Sequence, residues 1–356
     1  MKSFHLLPAL LALLLLLTGC TQPAADANVS ADVPANASAG EEPNETVLFA
    51  MDTVMQLTVY GDETLLSDAA ARIDELEAEL SVTSENSEIH ALNQTGSGTL
   101  SENAADLLGK ALALCDQVGG TLDLSIYPVV RAWGFTTGEY TIPDDDLLSE
   151  LLAHVDYTKI AFDEETGQVS LEPGMEIDLG SVAKGYTGDQ LISLFQKAGV
   201  TSALINLGGN VQALGGKPDG SPWRIAVQNP FGDGYAGVLE VVDQAVITSG
   251  GYERYFEENG QTYWHIMDPD TGAPARSGLV SVTIVGDSGL VCDGLSTALF
   301  VMGQENAVNF WRETGGFEAV LISEDGKISI TEGLEDRFSL LDQGTSLGDV
   351  TVIRHD

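Results

Sequence analysis

A carboxylate and a hydroxyl four residues apart, Asp293 and Thr297, have the residue types and the spacing of a metal site. On a helix, residues four apart share one face. Carboxylate and hydroxyl oxygens suit a hard cation such as Mg²⁺, which keeps open positions for phosphate oxygens. The alternative is that Asp293 only caps the helix and Thr297 is solvated. The spacing by itself is compatible with both interpretations.

A second segment that could do chemistry is 177–186, in which Asp178 and Gly180 precede Lys184 and a predicted helix. Gly180 would let the backbone approach a ligand closely. Free amides at a helix N-terminus can bind phosphate, and Lys184 can neutralise its charge. The alternative is that Asp178 is only a cap and Lys184 only a surface charge. The segment is therefore a candidate phosphate site.

Three other segments carry weaker signals. His265 lies just before the turn residues 268–272, and a histidine at a strand end is more often structural than catalytic, although its position leaves a catalytic role open. The segment 249–256 contains adjacent charged and aromatic residues. The Gly-Gly pair within 206–210 indicates a tight turn and little more.

These residues need elements to position them. Apolar residues at helical spacing predict four helices, near 67–80, 107–115, 191–198 (closed by Gly199) and 295–302 (followed by Gly303). On the last helix the apolar residues fall roughly opposite Asp293 and Thr297. Strands are predicted at 53–60, 159–163, 203–207, 223–228, 237–242, 262–266, 279–285 and 318–322.

The order of these elements indicates the fold class. Strands cluster between 200 and 285 without helices between them. This order favours an α+β fold, a single catalytic domain with mixed, largely antiparallel sheets and flanking helices. No internal linker is evident, so residues 47–356 are predicted to form that domain.

The N-terminus predicts export and anchoring. The apolar run 6–17 is too short to span a bilayer comfortably, and it leads into Leu-Thr-Gly-Cys, which resembles a bacterial lipobox ending at Cys20. We therefore expect a lipoprotein signal peptide at 1–19, and a lipidated Cys20 with a flexible tether over 20–46. The expected location is the bacterial cell envelope, on the extracytoplasmic face of the membrane. The alternative is an ordinary signal peptide with an incidental cysteine.

The net charge and the two other cysteines indicate which partners are expected and whether a disulfide forms. A formal net charge of −39 repels nucleic acid and anionic lipid headgroups, so no nucleic-acid partner is expected. Cys115 and Cys292 could pair in an oxidising compartment, but nothing in their spacing demands it. Burial as small apolar side chains is the preferred interpretation.

Several segments, in order along residues 47–305, resemble motifs of the FAD:protein FMN transferase family, often called the ApbE family. The two most specific are His-Ile-x-Asp-Pro at 265–269 and Asp-Leu-Gly…Lys-Gly-Tyr at 178–186. The others lie at 49–53, 87–93, 123–128, 133–135, 207–209, 248–255, 271–272, 293 and 297–299.

The resemblance implies a reaction and assigns roles. Family members cleave FAD at its pyrophosphate, transfer FMN to a Thr or Ser of an acceptor protein and release AMP. The resemblance implies a Mg²⁺ ion held by Asp293, Thr297 and the main-chain oxygen of Ser181. It also makes His265 the candidate base, with Asp293 and Lys184 completing the catalytic set. The implied FAD contacts are Met51, Thr121, Leu122, Asp123, Asp178, Lys184 and Ile266. The implied partners are acceptor proteins such as membrane redox-complex subunits or extracytoplasmic FMN-binding domains.

The chain departs from the family pattern at two positions. Asp52 stands where the family usually has Gly, and Thr83 stands where the family commonly has an aromatic residue that could stack on a flavin or adenine ring. These departures put the affinity or the pose of the ring in question.

Three other functions are compatible with parts of the pattern. An FAD pyrophosphatase would use water at the same metal site and give FMN and AMP. A non-catalytic flavin-binding lipoprotein would need no metal, so the Asp293/Thr297 pair argues against it. A periplasmic-type solute receptor would need two βαβ lobes, which the strand-rich region 200–285 does not supply.

Overall fold

The computed structural model describes residues 42–341 and 347–355. The predicted signal peptide, Cys20 and nearly all of the tether lie outside these residues. The first strand begins at Asn44, so residues 44–46, which the sequence assigned to the tether, belong to the folded domain. Among the described residues, no helix has both the length and the apolar character needed to cross a bilayer.

The helices and strands alternate irregularly along the chain. The helices are α1 (Thr64–Leu80), α2 (Glu88–Thr95), α3 (Glu102–Gln117), α4 (Tyr127–Ala132), α5 (Asp145–Leu152), α6 (Ala183–Lys197) and α7 (Gly289–Thr314). The strands are β1 (Asn44–Ala50), β2 (Thr53–Val59), β3 (Ser97–Thr99), β4 (Ala161–Asp163), β5 (Gln168–Ser170), β6 (Ala203–Leu207), β7 (Asn210–Leu214), β8 (Trp223–Gln228), β9 (Tyr235–Val241), β10 (Ala245–Gly250), β11 (Tyr255–Glu258), β12 (Gln261–Trp264), β13 (Leu279–Gly286), β14 (Glu318–Ser323), β15 (Ile328–Thr331), β16 (Phe338–Leu340) and β17 (Val350–Ile353). Short 3₁₀ turns occupy Tyr157–Lys159 and Glu332–Leu334.

A nine-stranded sheet in the order β1-β2-β6-β7-β10-β13-β14-β15-β17 forms the centre of the domain. Its neighbouring strands are antiparallel except β15 and β17, which are parallel. Smaller sheets β16-β9-β8 and β3-β5-β4 and the hairpin β11-β12 complete the β-structure of the described residues. The predicted α+β class with largely antiparallel sheets is confirmed.

Alternating side chains of the central sheet enter two different cores. Ala245, Ile247, Val282 and Ile284 pack with α3 and α7 on one face. Val246, Val285, Val211 and Ala213 pack with β8 and β9 on the other. Because strand residues two apart share a face, Asn210 and Gln212 of β7 lie on the face covered by helices. The site described below is built on that face.

The edge strand β1 has an unusual surface. Val47 is 66% exposed and Phe49 is 71% exposed, and both lie on the same face of the strand. Val54, which pairs with Phe49 across the hairpin, is also exposed. The two residues between β1 and β2, Met51 and Asp52, have φ values of 48° and 59°, as the tight hairpin turn requires.

One predicted helix differs from expectation. The helix around 295–302 was expected to have one apolar face, but the first half of α7, residues 289–303, has no exposed residue because it runs between the sheet and the other helices. Leu290, Cys292 and Phe300 are buried along with the predicted apolar residues. Gly303 does not end the helix. It adopts φ 76° and ψ 166°, which break the helical path, and a second helical segment continues to Thr314.

Candidate active site

Helices α6 and α7 approach each other at a pair of glycines. A Cβ atom at Gly185 would lie 2.2 Å from the carbonyl oxygen of Gly289 and 2.8 Å from the Cβ of Asp293. Gln212, from the sheet below, donates from Nε2 to the carbonyl oxygen of Gly185 at 2.8 Å. The absence of side chains at this crossing brings Asp293 against the first turn of α6.

Asp293 is held by backbone in a buried position. Its side chain is 6% exposed, and its Oδ2 accepts a hydrogen bond from the Gly185 amide at 2.8 Å. Burial, and to a smaller extent the charge of Asp189, raise the pKa of Asp293 to about 6, although Lys184 and the Gly185 amide oppose the shift. Because burial disfavours the ionised carboxylate, a nearby cation would stabilise it in this position.

The interpretation of Asp293 as a helix cap is wrong. Helix α7 begins at Gly289, and its cap is Ser288, whose hydroxyl accepts from the amide of Val291. Asp189 of α6 also accepts from the amides of Gly289 and Leu290, at 2.6 and 3.0 Å. Because Asp293 lies one turn inside the helix, capping does not explain it.

Thr297 lies one turn beyond Asp293 and is half-buried. Its Oγ1 is 3.2 Å from the hydroxyl of Ser249 on β10, which is also 2.7 Å from the hydroxyl of Ser296. Ser181 lies in the turn that precedes α6, on the chain segment that enters this helix crossing. Asp293 and Thr297 are thus brought to neighbouring turns of one helix, as their spacing predicted.

Asp178 closes a turn instead of capping α6. Its Oδ1 accepts from the Gly180 amide at 2.8 Å, whereas the cap position of α6 is Val182, which has no side chain able to accept a hydrogen bond. Burial raises the pKa of Asp178, and the charges of Arg254 and Lys184 oppose this shift. Asp178, Lys184 and Arg254 therefore lie close enough for their charges to act on one another, and we call the region around these three residues the cleft.

His265 directly follows β12 and faces the same cleft. Burial lowers the pKa of His265 to about 4, and the positive charges of Arg254 and Lys184 contribute to this shift. The ring is therefore neutral at pH 7. Its Nδ1 lies 3.2 Å from the carbonyl oxygen of Arg254, so Nδ1 must carry the proton that is donated to that oxygen. Nε2 is then left as an acceptor, which is the form a general base requires.

Glu253 and Arg254 are site residues whose roles were not predicted from the sequence. Glu253 reaches solvent, but the surrounding protein desolvates its carboxylate and, together with Asp293, raises its pKa to about 7, while Lys184 and Arg254 oppose this shift. Arg254 lies 3.7 Å from Asp52 of the β1–β2 turn. The only sequence signal was their place inside the motif at 248–255.

The apolar residues among the predicted FAD contacts are Met51, Leu122 and Ile266. Met51 lies beside α1 and α6, with its amide donating to Glu77 and its sulfur 3.8 Å from the hydroxyl of Thr187. Leu122 and Ile266 are buried core residues, so their side chains contribute packing. Leu122 lies near Gly294, one residue after Asp293.

Thr121 and Asp123 are occupied by internal hydrogen bonds. Thr121 donates to the carbonyl oxygen of Val118 at 3.0 Å. The Asp123 carboxylate accepts from the amide and hydroxyl of Ser125, at 2.8 and 2.6 Å, and from the amide of Tyr157 at 3.1 Å. This carboxylate therefore fixes the loop after α3.

The two positions that depart from the family pattern are Asp52, in the β1–β2 turn, and Thr83, which lines a cavity. At Asp52 the backbone is left-handed, a conformation that glycine adopts freely and aspartate tolerates, and its carboxylate pairs with Arg254. Thr83 lines a cavity of about 300 Å³ together with Tyr127 and Arg131. The guanidinium of Arg131 lies 5.3 Å from the centre of the Tyr127 ring.

Cys115 and Cys292 are free thiols, and both are buried, as the preferred interpretation predicted. Burial raises the pKa of the Cys115 thiol to about 12. Both therefore act as small apolar side chains.

Comparisons with known proteins agree on one family. The sequence model of the ApbE family matches residues 51–321. The chain is 33% identical over 297 residues to an FAD:protein FMN transferase of Treponema pallidum, covering 78% of this chain and 82% of that one. It is 34% identical over 308 residues to an FAD:protein FMN transferase of Klebsiella pneumoniae, covering 85% and 96%.

Solved structures give the same result. The fold matches the ApbE protein of Thermotoga maritima with a TM-score of 0.79 and 30% identity, over 83% of this chain and 99% of that one. It matches the apo form of the Pseudomonas stutzeri flavinyl transferase ApbE with a TM-score of 0.74 and 26% identity, over 83% and 97%.

Proposed function

The chain belongs to the ApbE family and is a flavin transferase, and we propose that its cleft transfers FMN from FAD to a Thr or Ser hydroxyl of an acceptor protein, with Mg²⁺ as cofactor and AMP as the second product. The relatives named above are FAD:protein FMN transferases. The observation that carries the proposal is Asp293, a buried carboxylate one helical turn from a hydroxyl and beside a lysine.

The residues around Asp293 fit a magnesium ion. No group of three or more His, Cys, Asp and Glu side chains that could hold a metal occurs in the described part of the chain. Mg²⁺ binds through one or two carboxylates plus substrate phosphates, and the Asp293 carboxylate with the Thr297 hydroxyl fits such a site. Asp293, Thr297 and the carbonyl oxygen of Ser181 would hold the ion. When bound, it would act as a Lewis acid on the phosphate oxygens.

The chain's own residues supply charge and a proton acceptor. Lys184 and Arg254 place two positive charges in the cleft, where phosphoryl transfer needs neutralisation and in-line positioning. The acceptor oxygen forms a new bond to the FMN phosphorus, and the bond between that phosphorus and the bridging oxygen breaks. AMP leaves with the bridging oxygen, and Nε2 of His265 takes the acceptor's hydroxyl proton.

A mass measurement tests the reaction. A candidate acceptor domain is incubated with enzyme, FAD and Mg²⁺. The expected result is a mass gain of the acceptor equal to esterified FMN, and the release of one AMP for each modified acceptor. A matched acceptor with Ala at the modified Thr or Ser should gain nothing. Release of FMN and AMP at the same rate with and without acceptor would instead identify an FAD pyrophosphatase.

We also propose that the enzyme is a lipid-anchored protein of the bacterial cell envelope, on the extracytoplasmic face of the membrane. The support is the apolar run 6–17, which ends in the lipobox-like segment at Cys20. Its acceptors would then be membrane redox-complex subunits or extracytoplasmic FMN-binding domains. Cys20→Ala should leave uncleaved precursor or release the protein from membranes. A variant that is processed and fractionates like the wild type would contradict the anchor.

A further inference from the structure

The face of the central sheet beneath α7 carries polar side chains at the positions nearest the site. Gln212 of β7 binds the Gly185 carbonyl, and Ser249 of β10 contacts Thr297. Asn210 lies two residues before Gln212 on β7 and pairs across the sheet with Ile247 of β10. Asn210, Gln212 and Ser249 therefore share the helix-covered face of the sheet.

Asn210 is buried without an ordinary hydrogen bond. The residue is 2% exposed, and among the described residues neither its Nδ2 nor its Oδ1 has a partner of normal geometry. Leaving a buried polar group unsatisfied costs about 1–3 kcal/mol. Buried amides in native proteins are almost always paired, so this one indicates that a group outside the protein completes the site.

The amide lies next to the Asp293 carboxylate. Burial raises the pKa of Asp293, and Asn210 is one of the groups that oppose this shift, as expected of side chains that lie close together. Gly185 already occupies Oδ2 of Asp293, and Gln212 fixes the carbonyl oxygen of Gly185. Asn210 and Gly185 therefore approach the same carboxylate, one from the sheet and the other from α6.

We infer that Asn210 is a positioning residue of the metal site, which holds Asp293 through Nδ2 and accepts a hydrogen bond through Oδ1 from a water bound to the cation. This inference rests on the proposed magnesium site. A neutral amide suits this role, because it orients a carboxylate without adding charge and offers both a donor and an acceptor. Outer partners of this kind typically change metal affinity about 10–100-fold when removed.

Two effects of opposite sign distinguish this role from a structural one. Asn210→Leu keeps the side-chain volume and removes both polar atoms, neither of which has a partner of normal geometry among the described residues in the absence of metal. The melting temperature of the variant in EDTA should therefore equal or exceed that of the wild type. Its Kd for Mn²⁺, measured by electron paramagnetic resonance as a probe for Mg²⁺, should rise about 10–100-fold.

Matched variants make the result specific. Ser202→Ala also removes a buried hydroxyl without a partner among the described residues, but directly before β6, and it should leave the Kd for Mn²⁺ unchanged. Asn210→Ser keeps a donor and an acceptor and should bind Mn²⁺ more tightly than Asn210→Ala. This pair serves as the test should Asn210→Leu fail to fold.

An unchanged Kd in Asn210→Leu, or equal Kd values in Asn210→Ser and Asn210→Ala, would overturn the inference. A wild type that binds Mn²⁺ no more tightly than Asp293→Asn would refute the metal site itself, and this inference with it.

Discussion

The two sides of the cleft are held in different ways. On the α6–α7 side, Asp293 is buried and its carboxylate is fixed by the Gly185 amide at a close helix crossing. On the β11–β12 side, Arg254 is 48% exposed and its ion partner Asp52 is 79% exposed. Packing therefore sets the geometry on the first side, whereas charge and a short hairpin set it on the second. Substitutions on the two sides should fail in different ways.

The largest effect is expected from Asp293→Asn. Asparagine can still accept from Gly185 but lacks the charge that would hold the proposed divalent cation, so FMN transfer should fall about 10³–10⁵-fold, as when a key charge is removed from phosphoryl transfer. Transfer rate and melting temperature are measured on one sample. A folded variant with near wild-type transfer would show that the buried side does not hold the metal.

Substitution of His265 tests the exposed side. His265→Gln removes the proton acceptor, so transfer to the acceptor protein should fall about 10²–10⁴-fold. FAD affinity and the melting temperature should barely change, because the imidazole's hydrogen bond is to a single carbonyl at the rim of the cleft. Equal losses in FAD affinity and in transfer rate would assign His265 to binding.

The pH dependence of stability should report the desolvation of Asp293 on the α6–α7 side without any ligand. The pKa of Asp293 is raised from 3.8 to about 6 in the folded protein, so the folded state holds a proton that the unfolded state releases between these values. The contribution of protonated Asp293 to the free energy of unfolding is fully present below pH 4 and is lost as the pH rises through 6. The free energy of unfolding of the wild type relative to Asp293→Asn, measured in EDTA, should therefore fall by on the order of 2–3 kcal/mol over this range. A constant difference would mean that the carboxylate is not desolvated.

The helix crossing predicts a smaller effect with a clear control. Gly185→Ala would push a methyl group into the backbone of Gly289, which should cost about 1–3 kcal/mol of stability and weaken magnesium activation. Gly98→Ala, where a Cβ would meet nothing within 4 Å, should leave magnesium activation unchanged. Denaturant unfolding and magnesium titration of the transfer rate compare the two. Similar magnesium activation in both variants would argue against a packed metal site.

The smallest effect is expected from Asp52→Gly. Glycine accepts the left-handed turn at least as well, and an exposed pair contributes about 0–1 kcal/mol. The melting temperature should barely move, while the salt dependence of FAD binding should change because Arg254 loses its partner. An FAD affinity whose salt dependence equals that of the wild type would show that Asp52 does not influence the cleft.

Much of the positioning framework could be predicted from periodicity. The long helices and most of the longer strands have a clear pattern, and the spacing of Asp293 and Thr297 correctly placed them on neighbouring turns of one helix. The burial of the first half of α7 on nearly all sides could not be predicted, because an apolar stripe does not reveal which other elements cover the remaining sides. The kink at Gly303 could not be predicted either, because a glycine after an apolar run can equally well end a helix.

The residues missed in the site share a different property. Asn210 and Glu253 act on partners that are distant in sequence, and neither has a spacing pattern linking it to Asp293. The register of β7 against β10 and the crossing of α6 and α7 bring Asn210 towards Asp293, and the turn after β10 places Glu253. A single sequence reports local periodicity well, but such long-range neighbours become visible only when the sheet is assembled.

The edge strand β1 has a consequence for handling the protein in solution. Among the described residues β1 is the outermost strand of the sheet, where backbone donors and acceptors along one side have no strand partner, and its neighbouring surface carries Val47, Phe49 and Val54. Such an edge is a template for intermolecular strand pairing. The high negative charge opposes association at low ionic strength, but salt screens that repulsion. Concentrated stocks of the enzyme should therefore self-associate more readily in high salt than in dilute buffer.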